Sequence, residues 1–355
     1  MAKVKFGDVV KDVKINVDRT NNPYERYIAG DHMDSEDLTL RRWGHFATDD
    51  VGPAFIRIFK PGQVLYGSRR TYLKKVAVAH FEGITANTTF VLETKDDNIL
   101  AQRLLPFLML SENFTNYSIR KSKGSTNPYV LFSDLADYEF ELPSIEEQRV
   151  LADKLWAAYE LKEAYKKMIA ATDEMVKSQF IEMLNTEGYE YLALGEVCSK
   201  ITDGSHNPPK GCDSSDYIMI SSKNISPDCL DLSDVRYLTI DEFESENKRT
   251  NVSANDILLT IVGTIGRTYL VKGNEGNIVM QRSVAVLTPK KNINPTFLMY
   301  SLLIDSELEK EGRGNAQKGV YLKQLAKYKV KIPSFKCQNK FCEIYNQADK
   351  SKLVD

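Results

Sequence analysis

The chain has 355 residues, of which 42% are hydrophobic and 27% charged, with a net charge of −2. That length exceeds one ordinary domain and suits two, each able to bury its own core. No apolar run is long enough to span a bilayer as a helix, and the opening Met1-Ala-Lys-Val-Lys-Phe6 lacks the pattern of a signal peptide, so the sequence reads as cytoplasmic and without a membrane partner.

The five cysteines, Cys198, Cys212, Cys229, Cys337 and Cys342, follow no zinc-binding spacing. An odd number without a secretion pattern predicts buried reduced thiols rather than a disulfide framework. His32, His45, His80 and His206 are scattered, and no metal site is expected from them.

In chain order, Phe55–Phe59, Val76–Ala79 and Thr88–Leu92 read as strands, followed by a helix near Leu100 to Leu110. The clearest helix starts at Ser144-Ile-Glu-Glu147, a capping-box pattern just after Pro143, and continues to about Leu184 without Gly or Pro. Leu151, Leu155, Ala158, Tyr165, Ile169, Val176 and Met183 fall on alternating three- and four-residue steps along it, with Lys162, Thr172 and Gln179 in the remaining places. This predicts a coiled-coil-like stripe on a helix of roughly 60 Å, at about 1.5 Å per residue. Beyond it, Asp256–Ile261, Arg267–Val271 and Ser283–Leu287 read as strands, with a helix from Thr296 to about Glu311.

The second half echoes the first. Leu135-Ala-Asp-Tyr-Glu-Phe-Glu-Leu-Pro-Ser144 returns 190 residues later as Leu325-Ala-Lys-Tyr-Lys-Val-Lys-Ile-Pro-Ser334. Val64–Val78 lines up with Ile257–Val271 at an offset of 193, and Phe6–Val9 with Leu194–Val197 at 188. A kept order with a slowly drifting offset is a duplicated α+β domain rather than a short-period solenoid. The duplication predicts a second helix after Pro333, but Phe335–Asp355 is about half the length of the first and has Cys337 where the first has Glu147.

Basic residues are clustered despite the near-neutral total. Residues 51–81 hold Arg57, Lys60, Arg69, Arg70, Lys74 and Lys75 with no carboxylate, and Tyr66 and Tyr72 lie among them. Residues 312–331 are similar, with Arg313, Lys318, Lys323, Lys327, Lys329 and Lys331, and Arg120–Asn127 is a shorter basic stretch. Cationic side chains neutralise phosphates, and Arg, Asn, Gln and Ser can read base edges, so two such stretches in corresponding repeats point to DNA contact.

Near-matches to catalytic motifs read as turns or accidents. Asn207-Pro-Pro-Lys210 resembles the Asn-Pro-Pro-aromatic motif of amino-group DNA methyltransferases, with Lys in place of the ring, while Asn21-Asn-Pro-Tyr24 keeps the ring but loses a proline. Pro227-Asp228 with Glu246-Asn-Lys248 fits the permissive carboxylate-carboxylate-lysine pattern of metal-dependent nucleases. Gly263-Thr-Ile-Gly266 fits an RNA-clamping loop and, equally, a tight turn between strands.

The combination resembles the specificity subunit of type I DNA restriction-modification systems. Gly62–Ala79, Ile201-Thr-Asp-Gly-Ser-His206, Asp256–Gly266 and the helix entry Leu142-Pro-Ser-Ile-Glu-Glu-Gln148 carry the resemblance, together with the duplicated layout. The resemblance implies target recognition domains at residues 1–143 and 188–333, a spacer helix at 144–187 and a shortened second one at 334–355. It implies that each domain reads one half of a split DNA target and that the chain itself is not an enzyme. Modification subunits docked on the helices would supply adenine methylation with S-adenosylmethionine, and a restriction subunit ATP- and Mg-dependent translocation and cleavage; no cofactor is expected in this chain. The expected DNA-contacting side chains are Arg69, Arg70, Tyr72, Lys74, Lys75, Lys121 and Lys123 in the first repeat. In the second they are Ser205, His206, Lys210, Arg267, Arg282, Arg313 and Lys318. Leu151, Leu155, Tyr165, Ile169 and Val176 are the expected partner-docking positions. The competing readings are an interaction module that occupies modification subunits without reading DNA, and a stand-alone DNA-modifying enzyme.

Overall fold

A computed structural model describes residues 2–18, 21–226, 229–313 and 318–352. The chain divides into two compact units, Met1–Tyr165 and Lys166–Asp355. Each is an α+β domain built on the same plan.

In the first unit, the antiparallel sheet runs Val10–Asp12, Thr89–Thr94, Val64–Gly67, Val76–Val78 across its width. A second sheet, in the order Gly44–His45, Arg26–Ile28, Gly83–Ala86, Phe55–Phe59, contains a parallel pair, Tyr27 opposite Ile84. A short ribbon pairs Ala2–Lys5 with Glu139–Leu142. The second unit repeats the first sheet with Cys198–Asp203, Val284–Pro289, Ile257–Thr260 and Thr268–Leu270, and the ribbon with Glu190–Ala193 and Lys329–Ile332. Its other sheet keeps the parallel pair (Tyr217–Ile220 beside Asn277–Met280) but has three strands. Helix Ile240–Thr250 packs on that pair instead of a fourth strand.

Gly83–Ala86 is missing from the expected strands because all four of its residues are buried, which erases the alternation that marks a half-exposed strand. The expected helix at 100–110 is helical only over Leu105–Leu110. Pro106 sits in its first turn, where its fixed φ and missing N–H suit a helix start but no earlier position. The helix expected from Thr296 begins at Pro295, capped by Asn294 Oδ1, which accepts from the N–H groups of Thr296 and Phe297 at 3.0 and 3.4 Å. It ends at Leu303, and Leu308–Glu311 forms a separate 3₁₀ turn.

The long helix is Ile145–Glu187. The capping box forms: Glu147 Oε2 accepts from the Ser144 N–H at 2.9 Å, and Ser144 Oγ accepts from the Glu147 N–H at 3.3 Å. Ala152, Leu155, Trp156 and Tyr159 pack into the first unit's core, and Val176, Phe180, Met183 and Leu184 into the second's. The helix after Pro333 is Phe335–Lys352. Half of its box survives, since the Cys337 N–H still donates to Ser334 Oγ at 3.3 Å. Phe341 of this helix is fully buried against Phe180 and Phe297.

Buried thiols were expected throughout. Cys198, Cys337 and Cys342 are buried, but Cys212 and Cys229 lie in loops of the second unit and are exposed. Among the described residues no helix is long and apolar enough to cross a membrane.

Candidate nucleic-acid interface

In the first unit the basic arm is held by its neighbours rather than hanging loose. Ser68 Oγ donates to the Thr88 carbonyl at 2.6 Å, and the Arg70 N–H donates to the Pro128 carbonyl at 2.6 Å. Arg69 pairs with Tyr129, which pairs in turn with Lys123. Arg70 and Lys74 adopt left-handed φ values of 50° and 48° on either side of the 3₁₀ turn Thr71–Leu73. A non-glycine residue there carries strain of roughly 1–3 kcal/mol. The turn pushes Tyr72 outward to 53% exposure, and its Thr71 hydroxyl meets Ser122 at the end of helix Glu112–Lys121, at 3.2 Å.

Arg69, Arg70, Tyr72, Lys121 and Lys123 thus share one exposed neighbourhood. The other two expected contacts are engaged within the protein: Lys74 pairs with Glu36, and Lys75 donates to the Gly30 carbonyl. Lys123 also pairs with Asp134, at 2.9 Å. Lys121 lies over the Tyr117 ring at 5.5 Å.

The second unit builds its surface from two laced loops. A Cβ at Gly204 would fall 1.9 Å from the Met280 carbonyl oxygen, so only glycine permits this approach. The Ser205 N–H donates to Met280 at 2.8 Å, and the Arg282 N–H donates back to Ser205 at 2.9 Å. His206, which follows Ser205, and Arg282, whose N–H bonds Ser205, are both exposed. Ser205 itself is only 6% exposed, so it shapes the loop and does not face outward as expected.

Beneath His206 lies a residue pair that sequence reasoning missed. Asp203 is buried, lies 2.8 Å from His206 Nε2, and forms an ion pair with Arg249; Arg249 Nε also donates to the Asp203 carbonyl at 2.9 Å. Arg249 comes from the last turn of helix Ile240–Thr250, and no local signal marks it as a neighbour of residue 203.

Lys210 is exposed in the following loop, where Arg236 donates to the Pro209 carbonyl. That contact fixes Asn207–Lys210 as a loop, while at Asn21–Tyr24 the Tyr24 N–H donates to Asn22 Oδ1 at 2.9 Å in an Asx turn. Pro227 and Asp228 lie outside the described residues; Glu246 and Lys248 sit on helix Ile240–Thr250.

Arg267, Arg313 and Lys318 form a separate group. Gly263 and Gly266, with φ of 84° and 95°, make the tight turn before Arg267, and the Gly263 N–H donates to the Lys318 carbonyl at 3.2 Å. This lacing repeats the first unit's bridge for bridge: Val262–Gly319 and Arg313–Gly319 match Arg69–Tyr129 and Lys123–Tyr129. Arg313 is therefore the counterpart of Lys123, whereas Val262 and Gly263 stand where the first repeat has Arg69 and Arg70. The two repeats share a scaffold and differ in the side chains it displays.

On the long helix, the expected docking positions divide. Leu155 is half-buried in the first unit, and Val176, at 3% exposure, belongs to the second unit's core and offers nothing to a partner. Leu151, Tyr165 and Ile169 are exposed, as are Leu161, Met168 and Met175.

The sequence model of the family described as "Type I restriction modification DNA specificity domain" matches residues 56–170 and again 186–353. The chain belongs to that family. Its two matched segments correspond to the two repeats. The specificity subunit of the type I restriction enzyme EcoBI from Escherichia coli is 35% identical over 114 residues, which is 31% of this chain and 24% of that subunit. The chain thus matches about a quarter of that relative's length. Among solved structures, the S subunit of a type I restriction-modification system from M. genitalium shares the fold, with a TM-score of 0.61 at 13% identity over 99% of this chain and 90% of that one. The HsdS subunit from Thermoanaerobacter tengcongensis aligns over 100% of this chain and 92% of that one, at 18% identity and a TM-score of 0.41.

Proposed function

We propose that this chain is the DNA-reading subunit of a type I restriction-modification complex, each repeat reading one half of a bipartite double-stranded target. The observation that carries this reading is that both repeats are specificity domains and both display different polar and basic side chains on the same laced-loop scaffold. A shared frame with divergent loops is what two unlike half-sites require. The first half-site contacts come from Arg69, Arg70, Tyr72, Lys121 and Lys123, the second from His206, Lys210, Arg282 and Arg267. Phosphate contacts fix register and base contacts specify sequence, so both kinds are needed from each set.

In this reading the chain performs no chemistry. Modification subunits bound to it transfer methyl groups from S-adenosylmethionine to adenine, and a restriction subunit with ATP and Mg translocates and cleaves. The exposed middle of the long helix supplies the apolar docking surface, through Leu161, Tyr165, Met168 and Ile169. The test is to co-express the chain with the modification subunit of its own system and map methylated adenines across the host DNA. A single split motif, altered in one half only when one repeat is exchanged, establishes the role. A stable complex that methylates no defined motif overturns it.

A further inference from the structure

The short turn that feeds the Thr89–Thr94 strand of the first unit has a counterpart ahead of Val284–Pro289 in the second. After the turn, Thr89 lies opposite Gly67 and Val284 opposite Thr260; before it, Thr85 lies opposite Ile28 and Met280 opposite Ile220. A backbone bond is repeated as well: the Ser68 N–H donates to the Thr88 carbonyl at 3.1 Å, and the Ile261 N–H to the Ser283 carbonyl at 2.9 Å. These registers make Asn87 the counterpart of Arg282. Both residues are exposed, and among the described residues neither side chain is hydrogen-bonded or ion-paired within the protein.

The turn itself does not ask for asparagine. Asn87 has a negative φ, so no left-handed backbone selects it, and arginine fills the same place in the second repeat. Asn87 shares a concavity of about 310 Å³ with Arg69 and Tyr129 of the basic arm. In the second repeat Val262 stands at the Arg69 place, so one repeat carries its guanidinium on the arm and the other on the turn. Lys123 and Arg313, matched by their bridges, behave differently: that position is cationic in both repeats.

We propose that this turn position reads a base edge, Asn87 that of an adenine in the first half-site and Arg282 that of a guanine in the second. The inference rests on the function proposed above and names what one position in each repeat recognises. Every half-site presents the same phosphates, so a phosphate-binding position keeps its charge from repeat to repeat, as Lys123 and Arg313 do. A position that changes from a neutral amide to a guanidinium answers to what differs between half-sites, which is the bases. Asparagine and arginine share a planar, two-pronged head. The amide matches the N6 donor and N7 acceptor of adenine, and the guanidinium matches the O6 and N7 acceptors of guanine.

The experiment makes Asn87→Arg and Arg282→Asn in the full chain, with Asn87→Ala and Arg282→Ala beside them. Each is co-expressed with the modification subunit of the same system, and methylated adenines are mapped; exchange of whole repeats assigns the half-sites. Asn87→Arg is expected to convert one A·T pair of the first half-site to G·C, and Arg282→Asn one G·C pair of the second to A·T, with the other half unchanged each time. Each alanine variant is expected to lose roughly tenfold or more of its preference at that same base pair alone, read by competition between targets. Both side chains are exposed and unpaired, so the alanine variants decide the matter even where an exchange variant fails to assemble. Full base preference in both alanine variants overturns the inference and leaves the proposed function standing. So does a uniform loss of affinity with a shallower salt dependence, which marks a phosphate contact. A wild-type complex that methylates no split motif overturns the inference and the proposed function together.

Discussion

His206 Nε2 lies 2.8 Å from the carboxylate of Asp203, and the same buried carboxylate forms an ion pair with Arg249. One fixed anion therefore positions two exposed donors from different elements. Replacing Asp203 by Asn removes the charge that holds Arg249 and frees both side chains to swing. If the pair contacts the target, affinity of the assembled complex for its motif drops by about 1–3 kcal/mol, and specificity relaxes in the second half-site alone. A binding titration against targets altered in either half checks this, and uniform loss across both halves would count against it.

Arg69 and Arg70 are both exposed on the first repeat's arm. Replacing both by Ala weakens DNA binding and lowers the slope of log affinity against log salt by about 1 for each phosphate contact removed. The second repeat has Val262 and Gly263 at these positions, so under the proposed function the change in methylation pattern is expected in the first half-site only. Salt titrations of the variant complex provide the measurement. An unaltered slope would mean that the arm does not meet phosphate.

Asp37 ties the first unit to its part of the long helix. Burial pushes its carboxyl upward, but hydrogen bonds from the Tyr159 hydroxyl at 2.6 Å, the Thr39 N–H and Arg41 outweigh this and hold it below its ordinary value. A carboxylate depressed in the folded state stabilises the fold fully above its unfolded pKa, and that contribution disappears as pH falls through the lower folded value. Tyr159→Phe is expected to cost about 1.5–3 kcal/mol at pH 7, the range for a hydrogen bond to a charged group. Urea midpoints of the variant and wild type should converge in strong acid, where Asp37 is protonated in both.

Gln148 and Gln338 occupy equivalent places just inside their helices, at 0% and 1% exposure. Gln148 accepts from the Ala101 N–H at 3.0 Å and donates to the carbonyls of Ile99 and Pro143. Gln338 accepts from the Asn294 N–H at 2.8 Å and donates to Pro333. Each amide closes a loop onto a helix entry, so either Gln→Leu change strands buried backbone groups at about 1–3 kcal/mol apiece. Denaturant unfolding of the two variants tests it; losses below half a kilocalorie would show that water replaces the amides.

The duplication, the α+β class and the long helix were legible in the residues alone. Those features rest on local or repeated patterns: the Leu135–Ser144 echo, the Ser144–Glu147 box and forty residues without Gly or Pro depend on no distant partner. The basic arm was legible too, because a run without carboxylates is visible in one dimension. Which of those charges face outward depends on how distant segments fold against them. Lys74 and Lys75 are as basic in sequence as Arg69 and Arg70, but Glu36 and the Gly30 carbonyl, both far along the chain, take them up. Val176 falls on the helical stripe yet is buried in its own unit, and Arg249 carries no mark of its partnership with Asp203. Periodicity fixes the face a side chain occupies; the chain that folds against that face fixes whether it meets solvent, a core or a partner.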